Sequence, residues 1–222
     1  MGNSKIWYLP NGGTWDVGAD VESIDMGRQL TRLQAHPQVE AISSETMSGI
    51  EHTQAYNARM LVTMELARFP ASDVALVRQL RTLESYLQHG GEISFALDSD
   101  DAWARYAAAP ATRGQTAIGT QDTFWPHLAG SITAGDEVWL RAGGGGMVIR
   151  ELRPVTSLTF GVLTITTGAV YDYTYGADML ITERDTWPAL KLPIGDRNQQ
   201  LLTTDHRVTY SWRATLIEAL RS

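Results

Sequence analysis

The sequence contains no cysteine, which excludes disulfides, thiolate nucleophiles, zinc held on sulfur and iron–sulfur clusters. Charge is sparse: 19% of residues are charged against 43% hydrophobic, a balance that excludes a disordered or fibrous chain. Basic runs are missing too. Lys and Arg are scattered and the net charge is −7, so wrapping nucleic acid by neutralising phosphates is not expected, although an acidic surface can adjoin DNA as a repelling wall. Long apolar runs are absent. Met1-Gly2-Asn3-Ser4-Lys5 lead straight into Ile6-Trp7-Tyr8-Leu9 and a turn, so neither a signal peptide nor a membrane span is expected, and synthesis in a cytoplasm is.

The common catalytic signatures are also lacking. The five histidines, His36, His52, His89, His127 and His206, include no pair at the close spacing of a helix-borne metal site, and they read as surface or capping residues. Asp98-Ser99-Asp100-Asp101 is a carboxylate cluster without the glycine and distal glutamate of a calcium loop; it is read as the cap of a following helix. Gly143-Gly144-Gly145-Gly146 lacks the Gly-Lys-Ser/Thr of a phosphate loop and reads as a hairpin tip. No Gly-x-Ser-x-Gly elbow occurs. No catalytic, cofactor-binding or metal-binding residue is assigned.

At 222 residues the chain can form one large domain or a core plus a module. Ile6–Leu9, the turn Pro10–Gly13 and Thr14–Val17 read as a hairpin that sets Trp7 near Trp15. Arg28 to Thr53 reads as irregular around a short strand at Val39–Ser43, with turns at His36-Pro37 and Ser48-Gly49. Residues 59–69 alternate as a strand. Ser72 or Asp73 then caps a helix at 74–88 striped by Leu76, Leu80, Leu83 and Leu87 and stopped by His89-Gly90-Gly91. Ile93–Leu97 is a strand, Ala102–Tyr106 a short helix, and 111–123 a loop. Strands follow at Glu137–Arg141, Met147–Leu152, Val155–Thr166 with a break at Gly161, and Met179–Thr182.

Tyr171, Tyr173 and Tyr175 alternate, as an ordinary edge strand or as a sugar-stacking or protein-contact face. Trp125-Pro126-His127-Leu128 and Thr186-Trp187-Pro188-Ala189-Leu190 echo each other on either side of the β-rich stretch. The last strand places Val208, Tyr210, Trp212, Ala214 and Leu216 on one face. The expected organisation is a discontinuous core, 1–110 and 188–222, with a β-barrel-like module inserted at 111–187.

The order of a β-rich start, the strand at 59–69, the helix Asp73–Leu83, the strand Ile93–Leu97, an insertion and the strand His206–Leu216 resembles the distal tail and tail-tube-like minor tail proteins of long-tailed bacteriophages. Ala134-Gly135-Asp136-Glu137-Val138-Trp139-Leu140 looks like part of the small β-module inserted in such proteins. The resemblance implies a mainly β (α+β) fold: a β-sandwich core with one packed helix, tail-tube-like, plus an inserted small β-module. It implies no enzyme, but a structural virion protein made in the host bacterial cytoplasm: a distal tail ring, six-fold, that joins the tail tube to the baseplate or tip hub and lines the DNA channel. The partners implied are further copies of the chain, the tail tube protein, the hub and tip proteins and the tape-measure protein, with DNA passing through unread. The alternatives are a tail-tube or tail-completion protein of the same virion, a carbohydrate-binding β-module using Trp and Tyr faces, and a hydrolase working through Asp98, Asp100 or Asp101.

Overall fold

The computed structural model describes residues 3–10, 15, 21–45, 51–121, 125–144, 147–173, 179–205 and 209–219. Its elements in order are β1 (Lys5–Tyr8), β2 (Glu22–Asp25), β3 (Leu30–Glu45), β4 (Glu51–Pro70), α1 (Val74–Gln88), β5 (Ile93–Ala96), β6 (Ala104–Tyr106), β7 (Ala117–Gly119), β8 (Glu137–Gly144), β9 (Met147–Thr159), β10 (Val162–Ile165), β11 (Leu180–Glu183), β12 (Thr186–Lys191), β13 (Leu202–Asp205) and β14 (Thr209–Glu218). The fold is mainly β, of the α+β class, and all its strand pairs are antiparallel.

The first sheet runs β2-β1-β5-β12-β14-β4-β3, with β13 paired to β14 beside β12. Its two end strands are joined by the turn between Asp25 and Leu30. Five Cα steps reach at most about 19 Å, whereas six strand spacings laid flat would need about 29 Å. The sheet must therefore curl until its ends approach, and both ends contribute to one core: Ile6, Ile24 and Met26 from one, Leu30 and Leu33 from the other. Helix α1 adds Leu76, Val77, Leu80, Leu83 and Leu87 to that core. Asp73 caps it, accepting from Leu76 N–H at 3.2 Å, and Gly90 closes it at φ +87.

The second sheet runs β6-β11-β8-β9-β10-β7. Its outer strands meet: Ala107 bridges Thr120, Ala108 N–H donates to Gly119 O at 2.8 Å and Gln121 N–H to Tyr106 O at 2.8 Å. Closure removes the exposed edges and encloses Trp103, Ile118, Val138, Leu140, Leu163 and Ile181. The strands of this barrel run from Ala104 to Glu183, so its sheet starts before and ends before the expected 111–187 segment. Burial of Trp103 draws β6 into the barrel, while Thr186 and Trp187 pair with Ala96 and Phe95 of the first sheet.

Several local expectations are corrected. Leu30–Glu45 is not irregular around a short strand: β3 is a sixteen-residue strand that passes through Pro37, which pairs with Met60, while the expected turn at Ser48-Gly49 lies outside the described residues. Proline is tolerated there because β3 is the sheet edge, where its missing N–H breaks no second ladder. Ala102–Tyr106 is strand and bridge, not helix, because pairing to β11 overrides five residues of helix-compatible sequence. The 111–123 stretch contributes β7. β9 continues through Pro154, while Phe160-Gly161 forms the expected interruption before β10. β1 pairs with β2 and β5; the expected partner at Thr14–Val17, apart from Trp15, lies outside the described residues.

Candidate interaction site

β3 pairs with β4 along its whole length, from Leu30↔Leu66 to Glu45↔Glu51. β14 accompanies β4 only from Pro70 to Leu61. From Pro37↔Met60 outward, the two strands run on as a ribbon without a third strand among the described residues. At its base β3 turns Gln34, Ala35, His36 and Pro37 to solvent.

The root of the ribbon is held by a buried charge cluster. Glu218, at the end of β14, forms ion pairs with Arg141 of β8 and Arg150 of β9, the side chains of Glu218 and Arg141 being 2% and 1% exposed. Glu218 Oε2 also accepts from Met60 N–H at 3.4 Å. Arg141 donates further to Thr182 Oγ1, and to Thr186 O at 3.4 Å. Arg150 lies over the Trp139 ring at 5.5 Å, a cation–π contact. Burial, assisted by the nearby Arg150 charge, pushes the Arg141 pKa well below its ordinary value, and burial pushes Arg150 down to about 10. Glu218 is thus the counter-ion of two barrel arginines and a hydrogen-bond acceptor for the ribbon. The signal for it is legible: it continues the inward phase of Trp212, Ala214 and Leu216 with a charge. Its distant partners carry no such signal.

Within the barrel, Glu151 pairs with Arg153 and accepts from the Tyr173 hydroxyl at 2.8 Å and from Val170 N–H at 3.1 Å. Burial, then the bond to Glu151, push the Tyr173 phenol up. Tyr171 is exposed and Tyr173 buried, so the two do not share a face; Tyr175 lies outside the described residues.

Where barrel and core meet, the His127 ring is flanked by Trp7 at 5.3 Å and Trp15 at 5.0 Å, so the two tryptophans expected to be neighbours come together around a histidine. The Ser94 hydroxyl donates to Pro188 O at 2.7 Å, which leaves its oxygen to accept from His127 Nε2 at 3.1 Å. His127 Nδ1 is buried with no hydrogen-bond partner among the described residues. Desolvation lowers the His127 pKa to about 4. Ser94 is fully buried with its proton committed, so the contact is not arranged as a nucleophile and base.

The remaining candidates are dispersed. Asp98 Oδ1 accepts from Asp100 N–H at 3.1 Å, and Asp100 Oδ2 from Asn3 Nδ2 at 3.0 Å, so the cluster shapes a turn tied to the N-terminal segment and caps no helix. No group of three potential ligands gathers among the described residues. His36 and His89 are exposed, and His89 sits at the C-terminal cap of α1. The His52 side chain and His206 lie outside the described residues, as do Gly145 and Gly146, while Gly143 and Gly144 continue β8. No helix among the described residues is long and apolar enough to cross a membrane.

At the turn from β9 to β10 the break at Gly161 is expected from the sequence, whereas the conformation of Phe160 beside it is not. Thr159 pairs with Val162, leaving a two-residue loop in which Phe160 has φ +51 and Gly161 φ +74. That geometry suits Asn-Gly, not a bulky L residue. Phe160 is nevertheless there, with a relative exposure of 101%. The chain matches no protein-family model and no curated protein sequence.

Proposed function

We propose that the chain is a structural, ring-forming protein of a phage tail, placed at the distal end between the tail tube and the baseplate or tip hub, and that it works by self-association instead of catalysis. The observation that carries this reading is the β3–β4 ribbon. A two-stranded ribbon is marginal in water on its own, and its unpaired edges are templates for another chain. Assembly answers both needs, and a mainly β core with one packed helix suits the tail-protein resemblance. A net charge of −7 disfavours adhesion to phosphates, as a channel that must let DNA pass requires. The partners under this reading are further copies of the chain, the tube above, the hub below and the tape-measure protein.

The test is electron microscopy of the purified chain together with light scattering across a concentration series. Closed rings of about six subunits, each burying well over ~1,000 Å² against its neighbours, are the expected result. A chain that stays monomeric at every concentration and on addition of tail tubes, or one that turns over a substrate at enzymatic rates, overturns the proposal.

A further inference from the structure

We propose that Phe160 is an anchor by which the barrel of one copy docks into the seam of the first sheet of the next copy. The inference deepens the ring reading and rests on it. Phe160 violates two local preferences at once, a bulky residue at positive φ and a fully exposed aromatic ring. Strain of this kind persists where surrounding structure and function favour it. Val162, 39% exposed, widens the apolar tip.

The receiving surface lies where the two ends of the curled sheet approach without pairing. A cavity of about 380 Å³ opens there, lined by Leu30, Leu33 and Leu97 together with Gly27, Arg32 and the polar Ser4 and Thr31. A cavity of about 150 Å³ already admits benzene, so the volume is sufficient for a benzyl group. Arg32, which donates from Nη2 to Gln34 Oε1 at 2.8 Å, stands at this cavity with a cation for the face of an incoming ring. The tip residues Thr159, Gly161 and Val162 and the adjoining Thr120 and Gln121 are uncharged, so on the side of the tip docking strips no charge of water. A tip without basic residues is also poorly suited to an anionic lipid surface.

Knob and hole occupy different faces of one chain, so their pairing is head-to-tail, the interface type that generates rings. An aromatic anchor buries roughly 150–250 Å², a fraction of a stable interface. Leu30 and Leu33 belong to the exposed edge strand β3, so the seam is continuous with the ribbon edge that would supply the remainder.

The natural absence of cysteine makes the test direct. The full chain carrying Phe160→Cys and Leu97→Cys together, assembled and then mildly oxidised, should give a ladder of disulfide-linked oligomers on a non-reducing gel, with either single variant remaining uncrosslinked. Phe160→Asp should weaken assembly at least tenfold while leaving the thermal unfolding of the monomer unimpaired. Rings that form normally without any double-cysteine ladder, Phe160→Cys alone linking to itself, or Phe160→Asp assembling like the parent would each overturn the anchor and leave the ring reading standing. A parent chain that never assembles overturns both.

Discussion

Arg141 and Glu218 form an ion pair between the barrel and the first sheet with almost no access to water. Removing one partner of such a pair leaves an uncompensated charge in low dielectric. Glu218→Gln is therefore expected to destabilise the chain by roughly 3–5 kcal/mol, more than an isolated pair would suggest because Arg150 loses its counter-ion too. Replacing Arg141, Arg150 and Glu218 together by Met, Met and Leu should recover much of the loss. Urea unfolding of the parent and the two variants measures this; a cost below about 1 kcal/mol for Glu218→Gln, the range of exposed pairs, would show that water reaches the cluster.

His127 gives stability a pH dependence of definite sign. Its folded pKa, about 4, lies below the ordinary value of 6.5 because burial between Trp7 and Trp15 disfavours the cation. The unfolded chain therefore takes up the proton first as pH falls. The contribution is fully present above about pH 6.5, is lost progressively as pH drops towards 4, and changes little below that. Unfolding free energies at pH 7 and pH 4.5 should show the parent losing more than His127→Gln. Equal losses would mean that His127 titrates as an exposed histidine.

Helix α1 was legible because three signals agree: the stripe from Leu76 to Leu87, the Asp73 cap and Gly90 at the stop. Ala102–Tyr106 departs from the expected helix because five residues are too few to carry a period, and pairing of Ala104–Tyr106 with Leu180–Thr182 decides its conformation. His36-Pro37 carries a genuine turn signal; only the position of β3 at a sheet edge makes it strand. For the site, the inward charge of Glu218 could be read from the alternation of its strand. The nearness of Trp7 and Trp15 is legible from the sequence, but Arg141, Arg150 and the arrival of His127 between the two rings depend on long-range packing, which spacing along the chain does not encode. The break at Gly161 is legible, but Phe160 is not, because a phenylalanine in a β-rich run reads as another strand residue and only its backbone angle and exposure mark it out.

Leu80 and Leu83 lie fully buried in the first core. Truncation of either to Ala should cost roughly 2–5 kcal/mol, the transfer free energy plus a cavity. Chemical denaturation of Leu80→Ala and Leu83→Ala, with exposed Arg78→Ala as a control near zero, checks it. A loss below about 0.5 kcal/mol at both leucines would show that the helix does not pack on this sheet.

The barrel leaves and rejoins the first sheet at adjacent points: Ala96 pairs with Thr186, and Leu97 N–H donates to Asp185 O at 3.1 Å. A two-residue Asn-Gly turn joining Leu97 to Asp185 should therefore close a hairpin in place of the intervening residues. Combined with Glu218→Leu, so that no acid is left without its arginines, the shortened chain should unfold cooperatively. Non-cooperative unfolding would show that the core depends on the barrel, with the packing of Trp7 and Trp15 against His127 and Trp125 as the first suspect.

Phe160 separates stability from assembly. In the isolated chain the residue contributes strain at φ +51 and no buried contact. Asparagine tolerates the left-handed region and forms with Gly161 the favoured pair for this two-residue turn. Phe160→Asn should therefore raise the stability of the monomer, by about 1 kcal/mol, while weakening ring formation through loss of the aromatic anchor. Thermal unfolding at low concentration reads the first effect, and light scattering at high concentration the second. A variant less stable than the parent would mean that the phenyl ring packs within its own chain, which would also remove the reason for seeking its partner on another.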